Sequence, residues 1–217
     1  MAPPPPPPPP QPQPSLHGGA AALNPLLVEP DLFPPWREQE VLLALSREAP
    51  ETVVWYACNL MHIRHGQRLF RLVLRQCDHE LREWVVATIT QDKKDFWKIC
   101  AQRSDEVIFM IKSCETRGSL LFLRDAMLPW MTPNMMHALL SDSNRLRVVQ
   151  AFLLSSPPDI ARFIFEAVAQ DCTRLACQPN GLSLLQNCLE RVSWEEKDTI
   201  FTEISYMSLH LAQNSCG

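Results

Sequence analysis

Two stretches of this chain repeat one another at a distance of 36 residues. The first runs Ile164-Phe165, Leu175-Ala176, Gly181; the second runs Ile200-Phe201, Leu211-Ala212, Gly217. One period earlier, Asn144 matches Asn180, Val148-Val149-Gln150 matches Leu184-Leu185-Gln186, and Phe152-Leu153 matches Cys188-Leu189. Leu60 to Gly66 fits Leu175 to Gly181, followed by the apolar doublets Leu69-Phe70 and Val73-Leu74. A period of this length is the mark of a stacked architecture, in which each unit buries its neighbour's apolar face. It restricts the chain more than any composition figure does.

Each unit reads as helical. The doublets fall at i, i+1, i+4 and i+5, one face of a 3.6-residue period. The segment Ile160 to Ala176 supplies a preceding helix. Glycine at the anchor predicts a tight turn with backbone geometry that other residues resist. Pro157-Pro158 and Pro129/Pro133 are expected between units, where proline starts a helix without breaking one. Strand signals are nearly absent. The tryptophans at 36, 55, 84, 97, 130 and 194 are read as packing between units.

The first 35 residues are of another kind. They hold fourteen of the chain's 20 prolines, no Lys or Arg, and an unbroken run from Pro3 to Pro10. They predict a disordered polyproline II tail, residues 1–35, which cannot build a core. A plain proline run without a flanking basic residue favours a spacer over a ligand for an SH3- or WW-type partner. Removing the tail is expected to leave the melting temperature unchanged.

The remaining body carries a net charge of −2, so it lacks the strongly basic signature of many nucleic-acid-binding domains. No 18-residue run is free of polar groups, and no basic n-region precedes an apolar stretch. Neither a membrane span nor a secretory signal is therefore expected. The eight cysteines belong to a body large enough to need no staples, which fits reduced thiols in the cytoplasm or nucleus. His62 and His65 lie beside Cys58, but a structural zinc site wants four ligands and no C-x-x-C occurs. No metal is expected. Phosphate-binding glycine loops and nucleophile elbows are missing. In Ser193-Trp194-Glu195-Glu196, Ser193 reads as an N-cap with Glu196 three residues on, a helix start and not a catalytic carboxylate pair. Neither an enzyme, nor a cofactor, nor a small-molecule substrate is indicated.

The strings Leu-Ala-Cys-Gln-Pro-Asn-Gly-Leu-Ser-Leu-Leu-Gln-Asn-Cys-Leu (175–189) and Leu-Ala-Gln-Asn-Ser-Cys-Gly (211–217) resemble the Pumilio (PUF) repeat. The resemblance extends over residues 53–217, clearest over 135–217, with anchors at Gly66, Ser104, Arg145, Gly181 and Gly217. It implies an all-α, right-handed helical-repeat solenoid, a PUF- or armadillo-like crescent of about four units and part of a fifth. It also implies a cytoplasmic protein that binds single-stranded mRNA in 3′-untranslated regions and acts in post-transcriptional or translational regulation. In that family three side chains after each anchor read one base, two on its edge and the one between them by stacking. Carried over, the triplets are Gln67, Arg68 and Arg71; Asp105, Glu106 and Phe109; Leu146, Arg147 and Gln150; and Leu182, Ser183 and Gln186.

The triplets depart from the family's pattern. Leu146 and Leu182 have no hydrogen-bonding group, and Asp105 and Glu106 would set negative charge near phosphates. Gln150 and Gln186 suit edge reading because an amide both donates and accepts. Arg68 and Arg147 suit stacking, since a guanidinium is flat. Arg64, Arg68, Arg71 and Arg75 form one helix stripe, either a basic strip for phosphates or a solvated face. The expectation is a degenerate member of relaxed specificity. The alternative is a protein-interaction scaffold that does not bind RNA. The sequence ends at the fifth anchor, which reads as a truncated array and predicts a tendency to aggregate.

Overall fold

The computed structural model describes residues 38–63 and 66–191, with the pairs 197–198, 201–202 and 205–206. The tail with its expected partner, Trp36, Arg64, His65, Ser193 to Glu196 and most of the fifth unit lie outside the described residues. Among the described residues every regular element is a helix. In chain order these are α1 (Glu38–Leu45), α2 (Pro50–His62), α3 (Gln67–Gln76), α4 (His79–Thr90), α5 (Lys93–Gln102) and α6 (Ser104–Lys112). They continue as α7 (Arg117–Met127), a 3-10 turn (Leu128–Trp130), α8 (Pro133–Ser141), α9 (Ser143–Ser155), α10 (Pro158–Gln170), α11 (Cys172–Ala176) and α12 (Pro179–Arg191).

The apolar doublets account for the stacking. Helix α3 buries Leu69, Phe70, Val73 and Leu74, while its arginines stay on the other side. Helix α9 buries Val148, Val149, Phe152 and Leu153, and α12 buries Leu184, Leu185 and Cys188. Burying one such large side chain stabilises by about 1.5–3 kcal/mol, so the stripe dictates which face turns inward. The helices α3, α6, α9 and α12 pack on one another in that order as one row. A second row runs α2, α4, α7 and α10. Between the rows lies a continuous core that includes Tyr56, Phe70, Phe96 and Phe152.

Three sequence expectations change here. Ile160 to Ala176 is not one helix: it breaks at Asp171 (φ −127°, ψ 15°), and the Asp171 carboxylate takes a 2.6 Å contact from Arg174. Pro129 and Pro133 do not divide two units. They divide α7 from α8 inside one unit, with Pro133 at the start of α8. The anchor glycines are not needed for unusual dihedrals, since Gly66 has φ −71° and ψ −11°. They are needed for close approach. A Cβ on Gly66 would sit 2.4 Å from the Leu60 carbonyl oxygen, and one on Gly181 would sit 2.3 Å from that of Leu175. The same tight passage recurs in two units, as the repeat alignment required.

Candidate nucleic-acid interface

The candidate side chains sit on the row α3, α6, α9, α12, just past each inter-helix corner. The corners are short. Asp142 alone separates α8 from α9, and its Oδ1 accepts from the Asn144 and Arg145 backbone N–H groups, both at 3.1 Å. That satisfies two of the donors a helix start leaves open. Arg103 alone separates α5 from α6. Two asparagines tie each corner to the unit before it. Asn144 Nδ2 donates to the Ala101 carbonyl at 2.7 Å, and Asn180 Nδ2 donates to the Leu140 carbonyl at 2.9 Å. Both carbonyls lie at a helix C-terminus, where no intrahelical donor is available. The sequence displayed the Asn144–Asn180 identity but gave no sign of this tethering role.

Burial sets the register of the second unit. Its doublets are Glu106-Val107 and Met110-Ile111, in step with Leu69-Phe70 and Val73-Leu74 of the first. The anchor is therefore Arg103 and not Ser104. The equivalent triplet becomes Ser104, Asp105 and Ile108, which replaces Asp105, Glu106 and Phe109. Ser104 and Leu146 now share a position, and both are buried.

The remaining candidates divide by exposure. Gln67, Arg68, Arg147, Ser183 and Gln186 are exposed, and Gln150 is half-buried. Leu182 is 38% exposed, but Leu146 is 4% exposed and faces the core, so it presents nothing to a ligand. Neighbouring units meet through these side chains. Arg147 Nη2 lies 2.6 Å from Asp105 Oδ1, and Gln150 Nε2 donates to Ser183 Oγ at 3.1 Å. Arg71 Nη2 donates to Glu106 Oε1 at 2.9 Å, and the guanidinium of Arg71 lies 5.8 Å from the Phe109 ring centroid. Arg75 lies 5.4 Å from the same ring. Of the arginine stripe, Arg71 and Arg75 thus lean onto the second unit. The Arg71–Glu106 pair holds a carboxylate only 3% exposed, so it is firmly fixed, whereas Asp105 and Arg147 are both more than half exposed.

Other parts of the molecule are structural. Arg82 donates to the carbonyls of Cys77 and Ser113, and Arg191 donates to those of Leu154 and Ser156. Each arginine thereby closes carbonyls at the ends of row helices. Trp97 and Trp130 stack at 5.4 Å with their planes 4° apart, and the Arg145 guanidinium lies 5.3 Å from the Trp97 centroid. Trp55 departs from the packing role expected of it and is half exposed. Burial pushes the thiols of Cys58, Cys114 and Cys188 up to about 12 and that of Cys77 up to about 11. These cysteines stay protonated at neutral pH and are poor nucleophiles. His62 Nε2 faces the Asp95 carboxylate at 3.7 Å. No group of metal-binding side chains and no helix long and apolar enough to cross a membrane occur among the described residues.

No family model matches the chain. It is 26% identical over 154 residues to Pumilio homolog 9 of Arabidopsis thaliana, which covers 70% of this chain and 26% of that protein. Against putative pumilio homolog 8, chloroplastic, of the same plant, identity is 27% over 167 residues, 76% of this chain and 32% of the relative. The chain thus spans about a third or less of the curated relatives it matches. Among solved structures, the Puf4 RNA binding domain bound to an HO endonuclease RNA 3′ UTR recognition sequence superposes with a TM-score of 0.68 at 20% identity. That match covers 82% of this chain and 55% of the other. The RNA-binding domain of yeast Puf5p bound to SMX2 RNA gives 0.67 at 14% identity, over 77% and 46%. These likenesses agree with the all-α repeat row built above from burial and tethers. By sequence likeness and by fold, the chain is similar to the Pumilio repeat proteins.

Proposed function

We propose that this chain is a binding protein for single-stranded RNA, and that the row α3, α6, α9, α12 is its RNA-facing surface. The observation that carries this reading is the clustering of solvent-accessible polar side chains at equivalent positions of the first, third and fourth units. Arg68, Arg147 and Ser183 occupy one position, and Arg71, Gln150 and Gln186 occupy another. Unpaired RNA offers base edges and π-faces together, which suits a repeated pair of a stacking group and a hydrogen-bonding group. Gln150, Gln186 and Arg71 are assigned to base edges, Arg68 and Arg147 to stacking, and Gln67 and Ser183 to further polar contacts. Leu182 supplies apolar contact only. The relatives' names and the RNA in the related structures support the reading. On the same grounds we place it in post-transcriptional control of mRNA in the cytoplasm.

The test is selection from a random pool of short single-stranded RNAs at low salt, with affinities measured on the enriched sequence. A short enriched motif is expected. Reversing both Arg68 and Arg71 to Glu should weaken binding more than tenfold and flatten its dependence on salt, because fewer phosphate counterions are released. An unchanged affinity overturns the assignment of this strip. No binding by the wild-type chain at low salt leaves the protein-interaction scaffold as the better account.

A further inference from the structure

The second unit differs from its neighbours in what it leaves open. Ser104 is buried, and its hydroxyl lies 3.4 Å from Asn144 Oδ1 and 3.5 Å from Arg147 Nη1. Asp105 is engaged with Arg147 of the third unit. Ile108 shares the position of Arg71, Gln150 and Gln186, yet it has no hydrogen-bonding group and packs against the core. Ser104 is buried, Ile108 has no polar group, and Asp105 is a carboxylate that repels an RNA backbone, so no side chain of this triplet suits a base edge.

The same unit supplies a carboxylate to each neighbour. Glu106 reaches back to Arg71, and Asp105 reaches forward to Arg147. Glu106 stands at a position that is apolar in the other units (Leu69, Val148 and Leu184), and it is only 3% exposed. A carboxylate so placed needs its partner, since removing one half of a buried pair leaves a charge without water or counter-charge. Phe109 lies beneath the same guanidinium. Arg71 is therefore held from two sides, with its side chain still 40% exposed towards a ligand.

We infer that the second unit reads no base and serves as a positioning unit, with Glu106 and Phe109 fixing Arg71 and Asp105 holding Arg147. This rests on the RNA-binding reading above. It follows that the recognised RNA contains one unselected nucleotide, flanked by positions addressed by the first and third units.

Selection from a random single-stranded RNA pool with the full chain tests this, using the wild type and the variants Ile108→Gln, Glu106→Ala and Glu106→Gln. The wild type should enrich a motif with one internal position at which all four bases appear equally. Ile108→Gln supplies an amide at the register of Gln150 and should create at least about fivefold selection at that position. Glu106→Ala should lower discrimination at the position addressed by Arg71 by about fivefold or more. It should leave the fourth unit's position unchanged, a pattern that general loss of structure would not give. Glu106→Gln keeps an acceptor and should retain part of the selection, and thermal melting monitored by circular dichroism reports whether each variant is folded. Selection by the wild type at every position, or an unchanged motif in the folded Glu106→Gln and Ile108→Gln variants, overturns the inference alone. A wild-type chain that enriches no RNA overturns both the inference and the reading beneath it.

Discussion

At the scale of single residues, the anchor glycines show how a repeat is fixed by backbone contact. Gly181 passes so close to the Leu175 carbonyl that even a methyl group has no room. Gly181→Ala should therefore destabilise the protein by about 1–3 kcal/mol, the usual cost of overpacking. A thermal melt would show it as a fall of several degrees, and an unchanged melting temperature would mean that the passage can widen. Glu106 presents the opposite situation, a polar residue on an apolar stripe. Its sequence position suggested an exposed acid near the ligand. The fold instead buries it and makes it a clamp, because Arg71 of the previous unit arrives at hydrogen-bond distance.

At the scale of elements, the corners decide where the row helices begin. Asp142 alone closes the start of α9, through two backbone donors. Asp142→Ala should cost about 1 kcal/mol, read as a lower melting temperature with the folded helix content retained. Asn144 and Asn180 link each corner to the preceding unit, so the units are joined by polar tethers as well as by apolar packing. The outer helices were only partly legible. The break at Asp171 carries no Gly or Pro to announce it, whereas the start of α8 at Pro133 does.

At the scale of the whole molecule, two carboxylates tie stability to acid pH. The backbone N–H groups of Asp95 and then Lys94 hold Asp92 below the ordinary carboxylate range, and Arg117 does the same for Asp159. A depressed folded value means that the contribution is fully present above the unfolded value near about 3.9 and is lost as pH falls through the folded one. Melting temperature should accordingly hold level from neutral pH to about pH 4.5 and decline below about pH 4. A decline that begins near pH 6 would point to histidine instead.

The sequence by itself determined the repeat, its helical character and the inward stripe of each row helix. Those features rest on local periodicity and on spacings of 36 residues, and both are visible in one dimension. It also placed Gln150 with Gln186 and Arg68 with Arg147, because the anchors at Gly66, Arg145 and Gly181 agree with the buried stripes. The tertiary structure decided the register of the second unit, the burial of Leu146 and the pairing of Arg71 with Glu106 and of Arg147 with Asp105. Those depend on residues about 35 to 45 apart meeting across a unit boundary. Such a meeting leaves no local signal, since burial and ion pairing are properties of the neighbour as much as of the residue.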